Sequence, residues 1–173
     1  MSPTEPQPLT PLHAAVRPVY AVAGGNHVTL LLDREETSGA FDVIDVLAQP
    51  GGGPPPHRHA FAEWFGVLEG ELSISQERGG VVVCTHRLTE GDSVFVAPWM
   101  VHGTLNLSGA PARFQVVGQP AAMSGYFVEA GVRVADERAA PDREPPGPAE
   151  LREIAKRWGI EFWTGRVDQT PVR

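Results

Sequence analysis

The chain has 173 residues, 42% of them hydrophobic, with 14 Lys and Arg against 21 Asp and Glu, a formal net charge of −7. This length supports one domain with a buried core. The acidic balance, with no basic patch, argues against nucleic-acid or anionic-membrane binding. The single cysteine, Cys84, rules out an internal disulfide and fits a reducing compartment.

Residues 1–17 are rich in Pro and Thr and read as a flexible N-terminal segment. They lack the apolar core of a signal peptide, and no stretch approaches the length of a membrane span. A cytoplasmic protein is therefore expected. From residue 18 the pattern is one of short strands and turns. Strands are predicted over 19–22, 27–32 and 40–47. The last alternates in period two and is rich in β-branched residues. Residues 62–68 and 71–76 read as a hairpin about Glu69-Gly70, since a tight turn needs a residue that accepts positive φ. Further strands follow over 81–88, 93–96, 102–107 and 112–118, and Cys84 reads as apolar filler in the first of these. Residues 18–118 are thus expected to form an all-β barrel or jelly roll. His27 and His86 lie on predicted strands without a second ligand beside them, and neither is a site candidate.

The end of the chain changes character. Residues 120–131 suggest a short helix, with Met123, Tyr126, Phe127 and Ala130 on one side. Residues 135–148 are charged and Pro-rich, a linker or an arm over the barrel. Residues 149–158 form the clearest helix: Pro148 suits its first position, Gly159 its stop, and Leu151, Ile154, Ala155 and Trp158 make an apolar stripe. Residues 119–173 are expected to be a helical extension packed on the barrel or on a partner subunit.

Chemistry concentrates in GGGPPPHRHAFAEWFGVLEG, residues 51–70. His57 and His59 are two apart and share a face on an extended strand. Glu63 is four further on, so a continuous strand would bring it to that face too. Two imidazoles and a carboxylate at one point suit a divalent ion such as iron, nickel, manganese or zinc. A second stretch runs from Gly91 through Pro98 and Trp99 to His102 and Asn106.

Together the two stretches resemble the cupin family. Its first motif reads G, five residues, H-x-H, three or four residues, E, six residues, G; Gly51, His57, His59, Glu63 and Gly70 fit it without a gap. Its second reads G, five residues, P-x-G, two residues, H, three residues, N; Gly91, His102 and Asn106 fall in register. The proline comes one place late, at Pro98, and Trp99 stands where the motif has glycine. The resemblance implies a double-stranded β-helix and one divalent transition metal (Fe, Ni, Mn, Cu or Zn) on His57, His59, Glu63 and His102. Glu63 would be both a ligand and a candidate base toward a substrate hydroxyl.

Phe65 and Val67 share the face of Glu63 by parity. With Phe95, Trp99 and Met100 they are the expected pocket residues, and they favour a flat apolar or aromatic substrate. The resemblance points first to a dioxygenase of the quercetin dioxygenase type, acting on an enol or phenol with dioxygen. Its alternatives are a non-oxidative isomerase or polyketide cyclase using the metal as Lewis acid, and a non-catalytic small-molecule binding protein. A homodimer is the expected assembly.

Overall fold

The computed structural model describes Pro11, residues 17–168 and Thr170. The flexible segment expected over 1–17 falls, apart from Pro11 and Arg17, outside the described residues. Among the described residues thirteen strands and two α-helices follow one another in the order β1 (Val19–Val22), β2 (Asn26–Leu32), β3 (Asp42–Ala48), β4 (His57–His59), β5 (Ala62–Glu69), β6 (Glu71–Arg78), β7 (Val81–Thr89), β8 (Ser93–Val96), β9 (His102–Leu105), β10 (Ala112–Gln119), α1 (Met123–Ala130), β11 (Val132–Val134), α2 (Pro148–Arg157), β12 (Ile160–Phe162) and β13 (Arg166–Asp168), with one turn of 3-10 helix between β1 and β2.

The strands form two sheets, one in the order β11-β1-β2-β3-β10-β5-β8 and the other β12-β4-β9-β6-β7-β13. This is the all-β jelly roll expected from the sequence. β10 shows the reason most clearly. Ala112, Phe114, Val116 and Gly118 are buried while Arg113, Gln115, Val117 and Gln119 are not, the period-two pattern of a half-buried strand. Val28 and Leu30 of β2, Ile44 of β3, Phe65 and Val67 of β5, Leu72 and Ile74 of β6, and Phe114 and Val116 of β10 belong to one core cluster. Each such side chain contributes about 1.5–3 kcal/mol when fully buried.

Three local readings are corrected by this topology. β5 and β6 lie in different sheets, so Gly70 (φ +76°) carries the chain across the sandwich and does not close a hairpin. The hairpin is β6–β7. Second, β4 and β5 are not one strand: the chain breaks at Ala60-Phe61 and passes from one sheet to the other. Third, residues 119–173 supply three short strands besides the two helices. β11 pairs with β1, β12 with β4, and β13 runs parallel to β7. At three residues each, they are too short for hydrophobic periodicity to announce.

The two motif stretches are stitched together near the site. Gly51 N–H donates to the Asn106 carbonyl at 2.8 Å, and Asn106 N–H to the Gly52 carbonyl at 2.8 Å. The fully buried Asn106 amide donates in turn to the carbonyls of Ala48 and Ala110 at 3.0 and 2.8 Å. Gly53 has φ +152°, and a Cβ there would lie 2.0 Å from the Thr104 carbonyl oxygen, on backbone that cannot swing aside. Gly53→Ala is therefore expected to cost at least about 2 kcal/mol through positive φ and overpacking together. Urea unfolding of the variant beside wild type measures it.

Candidate metal centre

His57 and His59 occupy the two buried positions of β4. His57 is directly opposite His102 of the neighbouring β9. Glu63 arrives from β5 in the facing sheet. The sequence expectation that these four converge is met in space, but across the sandwich and not along one continuous strand. Their ligand atoms all lie within 4.8 Å of one another, and all four residues are buried. His59 and His102 are each only 1% exposed.

The imidazoles are oriented from behind. Nδ1 of His57, His59 and His102 lies 2.9, 2.8 and 2.9 Å from the carbonyl oxygens of Pro55, Phe61 and Met100. Only a ring N–H satisfies a carbonyl, so each Nδ1 carries hydrogen and each Nε2 presents its lone pair inward, as supporting bonds do for metal-ligating histidines. Yet Nε2 of His59 and of His102 lies 3.0 and 2.9 Å from the same Glu63 Oε2. A neutral imidazole has one N–H and cannot serve both an outer carbonyl and an inner carboxylate. A cation at the centre, either a proton on the rings or one ion shared by the three Nε2 atoms and Glu63, would resolve the conflict. Burial, with His102 close by, draws His57 down to about 3, so its ring is neutral near pH 7. Burial pushes the Glu63 carboxyl up, but the bonds to His102 and His59 outweigh it and hold it at about 2. A neutral imidazole and a carboxylate are the forms that bind a divalent metal, and the donor set fits one.

Aromatic rings brace the cluster. Phe61 stacks on His59 with centroids 3.6 Å apart and planes 3° apart. Phe162 meets the edge of His57 at 6.2 Å and Phe65 that of His102 at 6.3 Å. Trp99 explains the missing motif glycine: it takes the left-handed conformation itself, at φ +65°. Its N–H holds the His59 carbonyl at 2.7 Å.

His57 and Glu63 floor a cavity of about 870 Å³. Its walls include Val28, Ile44, Phe61, Phe65, Phe114 and Val116 from the sandwich, with Ile160 and Phe162 of β12. Met123, Tyr126 and Phe127 of α1 and Leu151 of α2 also line it. Asp42 anchors the α1 side by accepting the Ser124 N–H at 2.8 Å, a cap that the N-cap residue Ala122 does not provide.

Of the expected pocket residues, Phe65 lines this cavity. Val67 is buried core, and Met100 packs against the core with its Sδ accepting from Gln76 at 3.4 Å. Phe95 and Trp99 are 63% and 56% exposed. The register gives the reason: Val96 stands opposite Glu63, so Phe95 pairs with the outward Trp64. Tyr126 and Phe127 were legible as a helical stripe but not as cavity wall, and nothing in the sequence marked Phe61 or Phe162. Cys84 is half-buried, beside Ser73 and Ser75 in a separate groove. His27 is half-buried and His86 exposed, both away from the cluster.

Two facing β-sheets around a buried group of three histidines and one carboxylate define a jelly-roll protein whose interior could hold a metal. Residues 45–118 match the family model of the cupin domain. Among solved structures, it is similar to the polyketide cyclase RemF from Streptomyces resistomycificus. That pair is 22% identical with TM-score 0.55, over 64% of this chain and 79% of that one. An RmlC-like cupin from Shewanella frigidimarina NCIMB 400 is 21% identical with TM-score 0.53, over 65% and 91%. A cupin-superfamily sugar phosphate isomerase from Silicibacter pomeroyi is 21% identical with TM-score 0.55, over 65% and 77%. At these identities the likeness is one of fold. No curated protein matches the chain. No helix among the described residues is long and apolar enough to cross a membrane.

Proposed function

We propose that this chain is a metal-dependent cupin enzyme acting on a flat, apolar small molecule of enol or phenol type, with dioxygen as co-substrate. The observation that carries the reading is the set of Nε2 lone pairs and one carboxylate, braced from behind, flooring an apolar cavity. A bound iron, nickel, manganese, copper or zinc ion would supply Lewis acidity and, if redox-active, reactivity toward dioxygen.

The chain's own residues do the rest. Three neutral imidazoles and one carboxylate leave about one positive charge on a divalent centre, which favours an enolate or phenolate oxygen over a neutral one. Glu63 lies on the cavity floor, where its carboxylate can accept the proton of a substrate hydroxyl. Phe61, Phe65 and Phe162 offer ring faces and edges to a planar substrate. Met123 and Phe127 of α1 line the same cavity, where their apolar side chains would keep water from a bound substrate.

A second reading keeps the site and drops the oxygen: a cyclase or isomerase in which the metal only polarises a carbonyl or enolate. The polyketide cyclase and the sugar phosphate isomerase of similar fold favour it. Elemental analysis, then oxygen uptake with flavonols and smaller aromatic enols, separates the two. A redox-active metal with substrate-dependent oxygen uptake is the expected result. Turnover with zinc in the absence of oxygen establishes the second reading instead. Small sugars binding more tightly than aromatic enols would overturn the apolar-substrate assignment in both.

A further inference from the structure

The cavity wall carries two cations, and both sit on α2. Arg152 and Lys156 are four residues apart, about one helical turn, and both line the cavity whose floor is His57 and Glu63. The other ionic groups on this wall have partners. Glu161 is held by Arg58 at 2.8 and 2.6 Å, and Lys156 meets Glu153 at 2.7 Å. Arg152 has no carboxylate partner among the described residues. Arg152 and Lys156 are both exposed to solvent at the edge of this apolar cavity, where a guanidinium without a carboxylate partner is free to meet an anionic group on an occupant.

Its position is informative. α2 runs through the Gly159 turn into β12, where Ile160 pairs with His59 and Phe162 with His57. Arg152 is seven residues before Gly159, about 10 Å along a helix that rises 1.5 Å per residue. Arg152 and Lys156 against Glu153 leave a local charge of about +1, suited to a monoanion. A guanidinium fork matches the planar geometry of a carboxylate.

We propose that the cavity takes an amphipathic acid, with a flat apolar body and a single carboxylate at the end away from the metal centre. Arg152 receives that carboxylate, with Lys156 beside it. This deepens the proposed function and rests on it for the orientation of the reacting oxygen toward His57 and Glu63. The carboxylate contact itself stands on α2 alone.

The test uses 2-naphthoate, its neutral isostere 2-naphthamide, and 2-naphthyl phosphate, titrated by calorimetry into the full chain as purified and again after chelation with EDTA. Naphthoate is expected to bind at least about fivefold more tightly than the amide, as a partly exposed charge-assisted contact allows, and the phosphate no more tightly than naphthoate. The preference should survive chelation, since it belongs to the helix and not to the metal. R152A/K156A should erase it while the melting temperature holds, because both side chains are exposed. E153Q, which frees Lys156, should enlarge it. Equal binding of acid and amide, a preference that vanishes with the metal, one unchanged in R152A/K156A, a clearly tighter phosphate, or no binding of any probe would each overturn the proposal. Metal analysis of the untreated protein keeps the two readings apart. A chain that selects naphthoate through Arg152 but holds no metal fails as the proposed enzyme only, and one that holds metal without selecting fails here only.

Discussion

Replacing His59 with alanine is expected to abolish metal binding and to destabilise the metal-free protein as well. His59 is 1% exposed, lies against Phe61, and points Nε2 at Glu63. Deleting its ring removes one of four donors. Loss of mere supporting partners costs metal sites about 10–100-fold, so loss of the donor itself should exceed about 100-fold. The vacated volume is closed in by the Phe61 ring and the β-sandwich, which limits collapse. A buried ring truncated there should cost about 2–4 kcal/mol before any metal is considered. Thermal unfolding with and without added metal separates the two losses. Wild type at a metal concentration 100-fold above its dissociation constant should gain about 2.7 kcal/mol, whereas His59→Ala should gain nothing. Elemental analysis of the untagged proteins should read about one metal ion per chain for wild type and almost none for the variant. If His59→Ala kept its metal and its metal-dependent stabilisation, the assigned centre would be wrong.

The ligands were legible because their spacing survives translation into strands, though not for the reason that spacing suggests. Counting by twos from His59 to Glu63 presumes one strand. The structure reaches the same convergence by turning at Ala60-Phe61, so that Glu63 faces His59 from the opposing sheet. Parity is informative within a strand and empty across a break, which is why it placed Phe65 in the cavity. The pocket role expected of Phe95 needed the register between β5 and β8, and no single sequence contains that register. Trp99 stands at the motif's glycine position. The backbone keeps the turn by putting a tryptophan at positive φ, at a strain of about 1–3 kcal/mol. The stripe Met123, Tyr126, Phe127 and Ala130 identified a buried helical face, but only tertiary docking decides that it covers a cavity. β11, β12 and β13 have no local signal, because they exist by completing edges that other strands leave open.

Glu63→Gln should separate a metal centre from a structural ion-pair cluster made of the same residues. If Glu63 were there to pair with His59 and His102, removing its charge would cost about 3–5 kcal/mol, as breaking buried ion pairs does. The hydrogen-bond geometry argues otherwise. All three Nδ1 atoms face carbonyls, so His59 and His102, when neutral, would turn their lone pairs toward a single Glu63 oxygen at 3.0 and 2.9 Å, a conflict that a proton on the rings or a bound ion removes. A glutamine amide in that place offers two N–H donors, one for each ring. Where both rings are neutral, the metal-free variant should therefore fall within about 1 kcal/mol of wild type or exceed it, since an unpaired buried polar contact is relieved. Metal binding should meanwhile weaken more than about 100-fold, because the one anionic donor is gone. Where the His102 and His59 rings donate to it, the carboxyl is held at about 2, below its ordinary 4.5, so any stability it then lends is present above 4.5 and is lost only as pH falls toward 2. Through the neutral range the comparison thus isolates charge, free of titration at this carboxyl. Chemical denaturation of both metal-free proteins, with metal titrated calorimetrically into each, gives the two numbers. Opposite signs, weaker metal binding beside undiminished stability, are the mark of a site built for a cation. A large loss of stability with no metal bound by either protein would make His57, His59, Glu63 and His102 a structural cluster, and the proposed chemistry would have no centre.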